Sequence, residues 1–92
     1  MINPIGKNTL IPKEVKLELN ILGYHIVEEN RYLLLVRKST KGITRTLFCL
    51  KGEWSIYLNA SNTNSHFTLF YDLNNEEMLK WANITENIIS KY

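Results

Sequence analysis

From Tyr24 onward, apolar and polar positions alternate in short runs separated by turn-forming residues. This two-residue period belongs to strands with one face buried and one exposed. Tyr24–Glu28 and Arg31–Lys38 flank Glu29-Asn30, a pair short enough for a hairpin turn in which Asn30 can take a positive φ. A turn at Ser39–Gly42 leads into Ile43–Leu50, and Lys51-Gly52-Glu53 turns the chain into Trp54–Asn59. The polar stretch Asn59–Ser65 reads as a loop before a last strand over His66–Asp72, where Phe67, Leu69 and Tyr71 alternate with Thr68 and Phe70. Consecutive strands joined by short connections predict an antiparallel meander of about five strands. Within it, Tyr32-Leu33-Leu34-Leu35-Val36 is apolar throughout, which predicts a central strand covered on both sides.

After Asp72 the period changes to that of a helix. Asn74 or Asn75 can cap it, Glu76 and Glu77 sit where the helix dipole favours carboxylates, and Lys91 sits where it favours cations. Trp81, Ile84 and Ile88, widened by Met78, Ala82 and Tyr92, form the stripe expected to lie on the sheet; Asn83, Glu86, Asn87 and Ser90 are left for solvent. Residues 12–22 carry conflicting signals. Pro12, Glu14 and Gly23 mark the two ends of a helix, whereas Val15, Leu17, Leu19 and Ile21 alternate at strand spacing. The end signals favour a helix squeezed between two elements and apolar on two sides. Residues 1–10, with Pro4 and Gly6 and no periodicity, read as a loose N-terminal arm. The expected fold is therefore α+β, one domain over residues 1–92, with an N-terminal and a C-terminal helix packed on the meander.

Composition adds exclusions. A chain of 92 residues, 45% hydrophobic and 22% charged, has the makeup of a small globular domain rather than a disordered or membrane-spanning one. Eleven Lys and Arg against nine Asp and Glu leave a net charge of +2, too little for long-range attraction to nucleic acid or anionic membrane. Cys49 is the only cysteine, which excludes an internal disulfide and a cysteine-based zinc site and suits a reducing cytoplasm. The N-terminus shows no basic stretch followed by an apolar one, and no run approaches a membrane span. The sequons at Asn59 and Asn83 arise readily by chance in an Asn-rich chain.

The most suggestive chemistry lies in Arg37-Lys38-Ser39-Thr40-Lys41-Gly42-Ile43-Thr44-Arg45, which holds four cations, three hydroxyl residues and no acid. Such a hairpin can place Arg37, Lys38, Lys41 and Arg45 on phosphate oxygens, with Tyr32, Phe48 and Tyr57 available to stack on bases. It can equally be a solvated turn whose charges protect a sheet edge, or meet an acidic protein. Trp54, at a strand start, and Tyr57 are candidate aromatic anchors for a protein partner. His25, His66 and Cys49 are the only other groups suited to catalysis, and no metal-ligand spacing or glycine-rich phosphate loop accompanies them.

These observations lead to a small non-enzymatic protein-binding module, an inhibitor or modulator of another macromolecule, with no cofactor and no metal. Its expected binding residues are Arg37, Lys38, Lys41, Arg45, Trp54 and Tyr57. Direct nucleic-acid binding through the Arg37–Arg45 hairpin is the alternative, and an enzyme using Cys49 and His66 is a third. A membrane partner is not expected, whereas the two edges of a meander are open to pairing with a second copy. Small Asn- and Ile-rich chains are common in AT-rich bacterial and phage genomes, whose anti-defence proteins, anti-CRISPRs included, and toxin-neutralising proteins are often this size. No particular residue carries that background expectation.

Overall fold

The computed structural model describes residues 11–60 and 66–91. The expected N-terminal arm, most of the Asn59–Ser65 loop and Tyr92 lie outside the described residues, as do the side chains of His66, Phe67 and Leu69. The elements run α1 (Lys13–Ile21), β1 (His25–Glu29), β2 (Leu33–Thr40), β3 (Ile43–Leu50), β4 (Glu53–Ala60), β5 (His66–Leu73) and α2 (Asn75–Ile89). The strands form one antiparallel sheet in the order β1-β2-β3-β4-β5, so the predicted α+β meander with a helix at each end is the observed fold.

Turn chemistry sets the register. The β2–β3 and β3–β4 hairpins close on Lys41-Gly42 and Lys51-Gly52, with φ of 54° and 74° in the first and 52° and 86° in the second. Two successive positive φ values give the two-residue turn whose twist matches that of the strands. The strands extend nearer the first turn than expected, with Thr40 paired directly to Ile43. The β1–β2 connection works differently from the expected Asn30 turn: Asn30 does not take a positive φ, and its Oδ1 instead accepts from the Tyr32 backbone N–H at 2.9 Å.

End signals decide α1 over its alternating apolar residues. Pro12 is the N-cap, and its carbonyl accepts from Val15 N at 3.1 Å. At the other end Gly23 adopts φ +100°, its N–H donates to the Asn20 carbonyl at 2.9 Å, and Tyr24 N–H donates to the Leu19 carbonyl at 3.0 Å. This paired closure satisfies the last carbonyls and carries Tyr24 back against Leu19, both buried. The helix is not apolar-packed on two sides: Val15 and Leu19 are buried, whereas Leu17 and Ile21 are exposed. Asn74 caps α2 through a reciprocal box, its Oδ1 accepting from Glu77 N at 2.8 Å while Glu77 Oε1 accepts from Asn74 N at 3.0 Å.

Alternation gives the sheet two different faces. Leu34 and Val36 of β2, Leu47 and Cys49 of β3, and Trp54 and Ile56 of β4 share one core with Val15 and Leu19 of α1 and Met78 and Ala82 of α2. Both helices therefore cover the same face. The expectation that β2 is central and covered on both sides is corrected: β3 is the middle strand, and Leu33 and Leu35 on the other face are only partly buried. The buried stripe of α2 is also rotated from the expected one. Met78, Ala82, Thr85 and Ile89 face inward, Ile84 and Ile88 are exposed, and Trp81 lies at the margin, stacked on Phe70 at 4.5 Å between ring centroids.

Gly23 offers a test of this packing. A Cβ there would meet Lys38 Nζ at 3.0 Å, whereas a Cβ on Gly52 would meet nothing within 4 Å, although both positions have positive φ. Gly52→Ala is expected to cost about 1 kcal/mol from the backbone conformation alone. Gly23→Ala should cost measurably more in urea-induced unfolding, because it also displaces the Lys38 side chain.

Candidate binding surfaces on the two faces of the sheet

The strand period that makes the sheet also divides the basic hairpin. Lys38 and Arg45 are register partners at positions of the same parity as the core residues Val36 and Leu47, so they lie on the helix side. Arg37, paired with Thr46, lies on the opposite side. The four cations therefore do not form one phosphate-binding tip.

Arg45 is 1% exposed and does not present its side chain outward as expected. Its Nε donates to Glu86 Oε2 at 2.8 Å and its Nη2 to Glu86 Oε1 at 2.6 Å, a bidentate pair. Nη1 donates to the carbonyls of Ile43 at 2.7 Å and Thr40 at 3.4 Å. Lys38 Nζ lies 2.9 Å from Glu86 Oε1 and donates to the Leu22 carbonyl at 2.6 Å, while Tyr24 Oη donates to Glu86 Oε2 at 2.8 Å. Glu86, assigned to solvent on its spacing, is thus an acceptor for three side chains. Lys41 reaches across from the turn to donate to the Ser90 carbonyl at 3.0 Å. A groove of about 540 Å³ between the hairpin and α2 is bordered by Lys38, Lys41, Arg45 and Glu86.

Electrostatics follow from this geometry. Burial would push the Glu86 carboxyl up, but hydrogen bonds from Arg45, Lys38 and Tyr24, with the charge of Arg45, outweigh it and bring the pKa down to about 2. Burial disfavours the charged Arg45 guanidinium, yet its bonds and attraction to Glu86 raise its pKa above the ordinary arginine value. The Tyr24 phenol is raised by burial and then by the adjoining Glu86 charge.

The open face carries Arg37 and Tyr57 together. They border a shallow hollow of about 460 Å³ with Thr44 and Thr46, and Arg37 Nε donates to Thr46 Oγ1 at 3.3 Å. Beside the Arg37–Thr46–Tyr57 row lie Leu35 and Phe48, then Leu33 and Leu50, each pair in direct register. Leu33, Leu35 and Phe48 are partly buried, and Leu50 is 45% exposed. Tyr57 is 37% exposed and Tyr32 stands outward from the β1–β2 turn.

Trp54 corrects another expectation. It is 0% exposed, and its Nε1 donates to Asn75 Oδ1 at 2.7 Å. The indole N–H is satisfied inside the fold and no face is left for a partner. Cys49 is buried as well, and burial raises its thiol pKa despite a backbone hydrogen bond from Gly52. Cys49 pairs with Trp54 while His66 pairs with Asn59, five positions along β4, a backbone offset of about 17 Å. His25 is exposed on β1 opposite Arg37. Among the described residues no three His, Cys, Asp or Glu side chains come together as a metal site, and no helix is long and apolar enough to cross a membrane.

The sequence reading missed Glu86, Tyr24 and the leucines Leu33, Leu35 and Leu50 that flank Phe48 on the open face. A signal was present in the strand parity of Arg45, which shares a face with Leu47 and Cys49: if that face is the core, the cation needs a buried acid partner, although parity does not say which acid. Comparison of the chain with protein-family models, curated proteins and solved structures finds no match.

Because Glu86 titrates lower in the folded protein than in the unfolded chain, its contribution to stability is complete above the ordinary carboxylate range. It is lost as the pH falls from about 4.5 toward about 2. Glu86→Gln should unfold about 3 kcal/mol or more easily at pH 7, since Arg45 is left buried without its counter-charge. Denaturant midpoints across this pH window should converge for the two proteins as the wild type becomes protonated.

Proposed function

We propose that the chain is a non-enzymatic protein-binding module whose contact surface is the sheet face left open by the helices. The observation that carries this reading is the strip of Leu33, Leu35, Phe48 and Leu50 on that face. An antiparallel sheet covered on one side ordinarily turns polar residues to water on the other, and here apolar residues occupy two adjacent rows. Arg37 and Tyr57 fill the next row, the residue types most often found at the centre of protein interfaces. The fitting partner presents an apolar ridge with a carboxylate beside it, placed to reach Arg37.

On this reading the chain acts by occupying a partner's surface, as an inhibitor or modulator, rather than by chemistry of its own. The lone Cys49 thiol, buried in the core, suits a reducing cytoplasm. Arg45 and Trp54 serve the interior on which the surface is built, and Arg37 and Tyr57 remain as binding residues.

Affinity capture from the native cells, with nuclease treatment, tests the proposal. A stoichiometric protein should be retained by the wild type and by Lys41→Ala, and lost by at least tenfold in Leu50→Asp and Arg37→Glu, each verified as folded by circular dichroism. Unchanged capture by both open-face variants would overturn the assignment of the surface. Recovery of nucleic acid alone, abolished by nuclease, would replace the protein partner with a nucleic acid, and a concentration-dependent dimer lost in Leu50→Asp would make that partner a second copy.

A further inference from the structure

The charges on the open face are arranged symmetrically about Phe48. In register, Phe48 of β3 is flanked by Leu35 of β2 and Ser55 of β4. Arg37 stands two residues after Leu35, and Glu53 two residues before Ser55. Strands β2 and β4 run in the same direction, because each is antiparallel to β3. Arg37 and Glu53 therefore lie on one diagonal of the sheet with Phe48 at its midpoint, each about 8 Å from it by ordinary sheet spacings. All three share the face turned away from the core, since their neighbours Val36, Leu47 and Trp54 are buried on the other. Neither charge forms an ion pair among the described residues. Arg37 Nε donates to the neutral Thr46 Oγ1, and Glu53 is exposed.

A partner fitting this face needs an apolar ridge with a carboxylate placed to reach Arg37, and the face itself has both. Leu35, Phe48 and Leu50 form the ridge, and Glu53 pairs in register with Leu50. Taking this face as the protein-binding surface, we propose that a second copy of the chain occupies it when no other protein does, forming a two-fold dimer centred on Phe48. A two-fold axis lying between the sheets, through Phe48 and perpendicular to the diagonal, exchanges the ends of that diagonal. Arg37 of each copy then faces Glu53 of the other, giving two identical charge pairs around a Phe48–Phe48 contact. The same rotation seats Leu35 against Leu50 of the second copy and Thr46 against its Ser55. Strands of the two copies cross at roughly 70°, nearer the orthogonal than the aligned class of sheet packing. A face five strands wide and four alternate rows long offers roughly 600 Å² per copy, the small end of stable interfaces, so the dimer is concentration-dependent.

Sedimentation equilibrium of the full chain tests this. The wild type should show a reversible monomer–dimer equilibrium. Arg37→Glu and Glu53→Arg, each verified as folded by circular dichroism, should each weaken it about tenfold or more, because like charges then face each other twice. An equimolar mixture of the two variants should restore association, since one copy then brings only acids to these positions and the other only bases. A mixture that associates no better than either variant alone would overturn the pairing, as would a dimer unchanged in both variants. A wild type that stays monomeric up to about 1 mM would overturn the second copy as occupant. That result leaves the open-face reading itself to the capture experiment, which fails separately if Leu50→Asp and Arg37→Glu both retain the captured protein.

Discussion

Glu86 joins the separate parts of this small fold at one carboxylate. It lies on α2, pairs with Arg45 of β3 and Lys38 of β2, and accepts from Tyr24, which follows α1 directly. Lys38 extends the same connection to the end of α1 by donating to the carbonyl of Leu22, its C-cap. Desolvating such a group is costly, and the cost is offset only because each oxygen has strong donors in good geometry. Arg45 in turn occupies a strand position that must face the core, so the pair cannot be separated without leaving a buried charge. Against a total stability of roughly 5–15 kcal/mol for a domain of this kind, that constraint fixes how α2 sits on the sheet.

The rotation of α2 follows from it. Packing by hydrophobicity alone would bring Trp81, Ile84 and Ile88 onto the sheet, but that orientation would turn Glu86 toward water. The observed orientation buries Met78, Ala82, Thr85 and Ile89, leaves Ile84 and Ile88 outside, and lets Trp81 stack on Phe70 at the margin. Asn75 reinforces it at the other end of the helix by accepting the Trp54 indole N–H. A polar network thus selects among faces of similar apolar content, a specificity that hydrophobic burial does not supply by itself.

With both helices committed to one side, the sheet is left with two surfaces of different character. The helix side gathers Lys38, Lys41 and Arg45 around one acid, while the open side sets Arg37 and Tyr57 beside a leucine and phenylalanine strip. The basic hairpin, continuous in sequence, therefore serves two faces. The protein-binding surface we propose depends on that division, because it uses Arg37 and not the cations on the helix side.

Much of this was legible in the residues themselves. The two Lys-Gly turns, the alternation along β3 and β4, the Pro12 and Gly23 boundaries of α1 and the Asn74 cap of α2 are local signals, set by backbone conformation and short-range hydrogen bonds, and they determined the order and type of elements. Local signals do not report which side of a sheet a helix will cover. The burial of Trp54 and Arg45, the role of Glu86 and the exposure of Leu33, Leu35, Phe48 and Leu50 were decided only when both helices settled on the same face. The amino-acid sequence alone determined the strands, the turns and the parity of each side chain. The tertiary structure decided which parity became the core, because that depends on contacts between residues as far apart as Arg45 and Glu86, which no local pattern encodes.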